Sequence, residues 1–168
     1  MHLLMIRGPA AAGKSVVAKA LVKKLGKKTA LIEMDHLYYQ VLQNELDHEL
    51  VLECATRMAD TFLREGYTVV LEGVFTVPYD KKRHRLEHDK LYNLAKKYGI
   101  EMKIIFLDIS LEKAITRDRQ RHGSKKLRRE FITKLHEKTH ARRHNQDIEI
   151  DTSHLSVNQV VNLILKRI

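Results

Sequence analysis

The stretch His2-Leu3-Leu4-Met5-Ile6-Arg7-Gly8-Pro9-Ala10-Ala11-Ala12-Gly13-Lys14-Ser15 decides the fold. An apolar run enters a turn of small residues, and Gly8 to Ser15 matches G-x-x-x-x-G-K-[ST]. Beyond it, Val17, Ala20, Leu21 and Leu25 recur at helical spacing and stop at Gly26. Strand, loop and helix in this order form the setting in which the motif wraps a phosphate chain. A wrapped phosphate must meet several backbone N–H groups at once. Gly8 and Gly13 permit the tight turn, and a helix starting near Lys14 offers amides and the positive end of its dipole. Lys14 adds a point charge for the β- and γ-phosphates, and the Ser15 hydroxyl would hold magnesium. The nucleotide-binding set read from the loop is Gly8, Ala11, Ala12, Gly13, Lys14, Ser15 and Val16.

Outward from the loop, short apolar runs alternate with helix-patterned segments. Thr29–Met34, Tyr67–Leu71, Lys103–Leu107 and Asp147–Ile150 join the first run as strand candidates. The first four strands are mainly continuous apolar runs, as strands covered on both faces of a parallel sheet should be. Val51, Cys54, Ala55, Met58 and Phe62 make a helical stripe ending near Gly66, and Leu91, Leu94, Ala95 and Tyr98 make another closed by Gly99. Ser156 and Gln159 have capping-box spacing before Val157, Val160, Val161 and Ile164. The expected fold class is α/β, a three-layer domain with a five-stranded, mostly parallel sheet. Leu37–Asp47 and Thr76–Lys90 give ambiguous patterns, as substrate-facing loops and ordinary connections both do.

The 168 residues suit one domain spanning 1–168, since domains commonly run to about 100 to 150 residues. With 43% hydrophobic and 31% charged residues the chain can bury a core. No apolar run approaches the roughly 18 residues of a membrane span, no signal peptide pattern precedes Arg7, and one cysteine, Cys54, fits a reducing compartment. These features lead to the expectation of a cytoplasmic protein without a membrane partner. Net charge is +10, but Lys113–Gln146 carries twelve Lys or Arg against three acids, leaving the remainder nearly neutral. A polyanion is expected at that segment.

Ligands of open parallel sheets bind at the C-terminal strand edge, where three acids lie. Asp35, at the expected end of the second strand, suits a base accepting the proton of an attacking hydroxyl, with His36, Tyr38 and Tyr39 shaping the acceptor pocket. Its structural alternative is a helix N-cap. Glu72 ends the third strand as the acid of a Walker B element does, suiting magnesium or water positioning, and Gly73 permits close backbone approach. Asp108 reads as structural, before Ser110 as a helix N-cap. Arg117 and Arg121, four apart, are expected on one helix face before Gly123-Ser124 breaks it. Guanidinium groups on such a basic lid, approximately 117–129, stabilise charge on a transferring phosphoryl group. A solvated basic helix is the alternative.

Taken together, the loop, Asp35, Leu71-Glu72-Gly73, Phe106-Leu107-Asp108 with Arg117 and Arg121, and the turn Asp151-Thr152-Ser153 resemble the P-loop small-molecule kinases. That group includes shikimate and gluconate kinases, chloramphenicol phosphotransferase, zeta-toxin kinases and the kinase domain of polynucleotide kinases. The resemblance implies strand order 2-3-1-4-5, ATP with Mg2+, and Lys14, Asp35, Arg117 and Arg121 as the catalytic set. It also implies Arg117 near the adenine and α-phosphate, Arg121 near the transferred group, Thr152 beside the adenine, and Ser15 and Glu72 at the metal. Leu37 stands where shikimate kinases have a second Asp, and the stretch directly after Asp35 offers His36, Tyr38, Tyr39 and Gln40 in place of an arginine that would grip an acceptor phosphate. An uncharged hydroxyl on a small molecule is therefore the expected acceptor. The alternatives are a 5′-hydroxyl of nucleic acid, for which the 6% aromatic content offers few stacking platforms, and a non-kinase NTPase.

His136-Glu137-Lys138-Thr139-His140 spells H-E-x-x-H, and His144 extends the spacing. Arg143 and Gln146 occupy the Gly and His places of the extended zinc motif and the flanks are basic, so a catalytic zinc is not expected. Whether this face binds any metal stays open at this level. His84 and His88 read as residues of a solvated face, and Cys54 as a core residue on its apolar stripe.

Overall fold

The computed structural model describes residues 1–43, 47–75, 83–120, 127–141, 143 and 147–168, with the backbone alone for 83–88. Five strands, β1 (Leu3–Arg7), β2 (Thr29–Glu33), β3 (Thr68–Glu72), β4 (Met102–Asp108) and β5 (Ile148–Asp151), form one sheet in the order β2-β3-β1-β4-β5. Every pairing is parallel, with Leu3 opposite both Val69 and Met102. The expected order and class are therefore those observed.

Among the described residues six α-helices lie between the strands, α1 (Lys14–Leu25), α2 (Met34–His36), α3 (His48–Arg64), α4 (Arg83–Lys97), α5 (Leu111–Arg119) and α6 (Arg129–His140), and α7 (Val157–Leu165) follows β5. The two-residue side-chain period of the strands divides the core into two halves. Leu4, Ile6, Val70, Ile105 and Leu107 face α1 and α7, meeting Val17, Leu21, Val160, Val161 and Ile164. Leu3, Met5, Val69, Leu71 and Ile104 face the other way, meeting Val51, Ala55 and Ala59 of α3 and Leu91 and Leu94 of α4. Each fully buried leucine here contributes about 1.5–3 kcal/mol, whereas an exposed pair such as Arg57–Glu53 contributes at most about 1 kcal/mol. The apolar layers therefore hold the fold.

Side-chain caps fix several helix starts. Asp47 accepts from Leu50 N at 2.9 Å, Ser110 accepts from Lys113 N at 3.3 Å, and Ser156 and Gln159 complete the expected capping box. Three expectations need correction. Strand β2 ends at Glu33, so Asp35 lies in α2, and the N-cap of that helix is Glu33 rather than Asp35. Helix α4 starts eight residues before the apolar stripe at Leu91, because its first turns carry mostly polar residues that give no apolar period. Cys54 is exposed. At about 100° per residue, the buried face of α3 runs through Val51, Leu52, Ala55, Ala59 and Leu63, which leaves Cys54 and Met58 at its margin. No helix among the described residues is long and apolar enough to cross a membrane.

Candidate nucleotide and acceptor site

The connection from β1 to α1 packs into the C-terminal edge of the sheet. Gly8 has φ +142°, and a Cβ there would lie 2.2 Å from Leu107 O, so the loop descends against β4 where only glycine fits. Ala11 (φ 61°) and Gly13 (φ 88°) are left-handed, and Gly13 is the N-cap of α1 with no side chain capping the helix start. An uncapped start with no acid in its first turn favours an anion. Lys14 is 8% exposed and donates from Nζ to Pro9 O at 2.9 Å, which holds its ammonium group within the loop. Ser15 is half-buried beside it and Val16 is exposed.

Glu72 closes β3 at 1% exposure, directly opposite Ile6 on β1 and Glu33 on β2. Burial is the largest influence on its carboxyl and raises its pKa above the ordinary value. The Lys14 charge opposes this, Asp35 and Glu33 add to it, and a hydrogen bond with Ser15 opposes it. Oε2 of Glu72 is buried without a hydrogen-bond partner. A buried carboxylate oxygen with unmet capacity next to a hydroxyl is a donor set for a hard divalent cation. The residues expected at the metal, Ser15 and Glu72, thus meet, with Lys14 and Asp35 close enough to act on Glu72 through their charges.

The side expected to face an acceptor is built differently. Met34 to His36 runs into a π-helical turn over Leu37–Val41, closed by Leu42 N donating to Leu37 O at 3.0 Å. Asp35, His36 and Tyr39 are exposed along this segment, whereas Leu37 is buried and Tyr38 half-buried. Burial, followed by the Asp35 charge, raises the pKa of Tyr39. Tyr38 Oη lies 2.7 Å from Nδ1 of His48, with the rings edge-on at 5.1 Å. Burial lowers the pKa of His48 against a smaller opposing effect of Asp47. The sequence reading missed His48, which lies outside the segment after Asp35. Gly73 does permit close approach, since a Cβ on it would meet Met34 Cγ at 2.9 Å.

On the opposite flank, Thr152 is 3% exposed at the end of β5. Its amide donates to Asp108 O at 2.9 Å, and its hydroxyl lies 2.9 Å from Asp108 O and 3.1 Å from Ala12 O. Arg117 on α5 donates to Thr152 O at 2.6 Å and Oγ1 at 3.3 Å, which brings two residues expected near the adenine into direct contact. Helix α5 ends at Arg119, and Arg121, expected on a helix face with Arg117, lies outside the described residues, as do 122–126 of the expected lid. Asp118, buried at 1% exposure and not singled out in the sequence, accepts from Leu127 N at 2.9 Å and ties the two ends of that segment.

Two further charged clusters occupy the same edge. Arg7 and Asp147 form an ion pair at 2.6 Å with side chains 4% and 2% exposed, and the Arg7 guanidinium stands 5.5 Å from the Phe106 ring centre. Asp108 Oδ1 accepts from Ile109 N and lies 2.7 Å from His140 Nε2, in keeping with its structural reading.

The sequence of residues 3–146 matches a family model described as an AAA domain. The chain belongs to this AAA domain family. The matched span includes the Gly8–Ser15 loop, Asp35, Glu72 and Arg117, while Thr152 lies beyond it. No curated protein matches. Among solved structures the fold is similar to a gluconokinase from Sinorhizobium meliloti 1021, with TM-score 0.71 and 17% identity over 98% of this chain and 90% of that one. It is similar to a tunicamycin resistance protein of Deinococcus radiodurans, with TM-score 0.69 and 16% identity over 99% and 95% of the chains. An APS kinase of Mycobacterium tuberculosis in complex with AMPPNP and APS aligns with TM-score 0.66 and 17% identity over 98% and 96%. This member of the AAA domain family therefore has the P-loop kinase fold.

Proposed function

We propose that the protein is an ATP-dependent phosphotransferase that moves the γ-phosphate of ATP to a hydroxyl group of a small-molecule acceptor. The observation that carries this reading is Glu72, buried with an unpartnered oxygen and in contact with Ser15, flanked by the charges of Lys14 and Asp35. A nucleotide-binding switch needs the loop, Ser15 and Glu72. An exposed carboxylate coupled to that group, on a segment lined by Tyr38, Tyr39 and His48, is what transfer to a hydroxyl adds. Kinases such as those with the same fold supply the precedent.

In this reading the amides of Ala11 to Val16 and the Lys14 ammonium bind and orient the triphosphate, with Gly8 allowing the loop's close approach. Magnesium, held by Ser15 and Glu72, would neutralise charge on the phosphate oxygens. Asp35 accepts the proton of the acceptor hydroxyl as its oxygen approaches the γ-phosphorus. Arg117, docked on Thr152, braces the nucleotide side, and the role proposed for Arg121 is to offset charge on the transferred group.

The test is a transfer assay with labelled ATP against nucleosides, aminoglycosides, sugars and 5′-hydroxyl oligonucleotides. Label should move to a small hydroxyl compound, and Asp35→Asn should keep ATP binding while losing transfer. Normal transfer by Asp35→Asn refutes Asp35 as base. Label found on oligonucleotides alone replaces the acceptor class with nucleic acid.

A further inference from the structure

The H-E-x-x-H stretch gains in the folded chain what it lacks in the sequence, a third ligand. His136 and His140 stand one turn apart on α6, with ring centres 4.0 Å apart and planes inclined by 29°. Asp108, from the end of β4, faces them. One nitrogen of each imidazole and one oxygen of Asp108 lie within 4.8 Å of one another, and all three side chains are partly exposed. We propose that Asp108, His136 and His140 form a binding site for a divalent transition metal ion of the Zn2+, Co2+ or Ni2+ class. Its residues are separate from those expected to hold magnesium.

The donor types set the class of ion. Two imidazoles with one carboxylate suit borderline cations, whereas magnesium favours oxygen donors throughout. Three protein ligands leave positions for water, as in open metal sites. The rings are already oriented by their other contacts. His136 Nε2 lies 2.8 Å from Ile109 O, and His140 Nδ1 lies 2.8 Å from His136 O, the kind of carbonyl partner that fixes ligating imidazoles. His140 Nε2 lies 2.7 Å from Asp108 Oδ1, so metal binding there replaces the proton between them, which leaves to solvent.

One charge opposes the ion. Arg143 stands 3.5 Å from the second oxygen of Asp108, Oδ2. It is also paired with Glu149, which offsets part of its charge, and it holds the Asp108 carboxylate in place. Helix α6 follows the segment expected to form the lid, and Asp108 is the residue after Leu107, against whose carbonyl Gly8 packs. A bound ion would therefore fasten α6 to the strand beneath the phosphate loop.

The experiment uses the untagged full chain, stripped with chelator and titrated with CoCl2 while d–d absorption is recorded, then with ZnCl2 against a chromophoric chelator. One equivalent should bind, and Zn2+ should raise Tm. His136→Ala, His140→Gln and Asp108→Asn should each weaken binding by at least about tenfold, the smallest loss usual even for an outer-shell partner, and abolish the Tm rise. His154→Ala, which alters an exposed histidine elsewhere, should bind as the unaltered chain does. His136→Ala keeps the Asp108–His140 contact, and circular dichroism confirms that it is folded. Absence of a bound equivalent in the unaltered chain, or undiminished binding by folded His136→Ala, overturns the proposal. Neither result depends on phosphate transfer.

Discussion

The phosphate loop and the proposed acceptor side of the site are made from different materials. Around Gly8–Ser15 the parts are backbone carbonyls, buried side chains and strand ends, with Lys14 on Pro9, Thr152 on Ala12 and Asp108, and Glu72 beneath. On the proposed acceptor side the short helix α2 presents exposed Asp35 and His36 and the π-helical turn after it presents Tyr39, held from behind by the Tyr38–His48 contact. The first region is rigid because burial and hydrogen bonding specify it from several elements at once. The second is specified by a few side chains on one short segment, where substitution changes what is bound at little cost to the fold.

The largest expected effect would break this contrast at the phosphate side. Lys14→Ala should lower kcat about 1,000-fold, the scale of losing one preorganised charge aimed at a transferring phosphoryl group, as steady-state transfer assays would record. Next, Gly8→Ala places a Cβ 2.2 Å from Leu107 O. Strain and overpacking together should cost about 3 kcal/mol or more in urea unfolding. If the variant unfolds like the parent, the loop is not rigid.

Glu72→Gln separates function from stability on the same side. Transfer should fall roughly 100-fold, in line with the removal of one electrostatic group. Because burial raises the Glu72 pKa in the folded state, native protein holds that proton more tightly than unfolded chain. Its stability contribution is present below the ordinary glutamate pKa and is lost as pH rises through the raised value. In the absence of metal, the Gln variant should therefore be more stable than the parent at neutral pH, with a flatter Tm-versus-pH curve over that interval. A lower Tm for the Gln variant at neutral pH would show that Glu72 is satisfied without a cation.

The smallest effect belongs to the acceptor side. Tyr38→Phe removes the hydroxyl bonded to His48 and should cost only about 1 kcal/mol of stability. Its kinetic signature should be a higher KM for the acceptor with the KM for ATP unchanged. A change in ATP KM instead would join the two regions that the structure separates.

The same contrast governs what was legible in the sequence. A local spacing encodes the phosphate loop, and continuous apolar runs encode the buried strands, so strand order and both halves of the core followed from pattern and resemblance. Contacts between distant segments carry no such period. His48 against Tyr38, Asp118 against Leu127, Arg7 against Asp147 and Asp108 against the two histidines come together only when the sheet edge is assembled. Asp35 lies one element further along than the sequence pattern suggests, because Met34 continues the apolar run of β2 while its backbone has already turned helical. Cys54 was misplaced for a related reason: an apolar stripe fixes the face of a helix only to within a residue at its margins.

The most direct measurement is isothermal titration of the unaltered chain and of Lys14→Ala with magnesium and AMPPNP. The unaltered chain should bind one equivalent, and Lys14→Ala should bind it more weakly while remaining folded. Absence of binding by the unaltered chain, or equal binding by both, would contradict a triphosphate held at the β1–α1 loop.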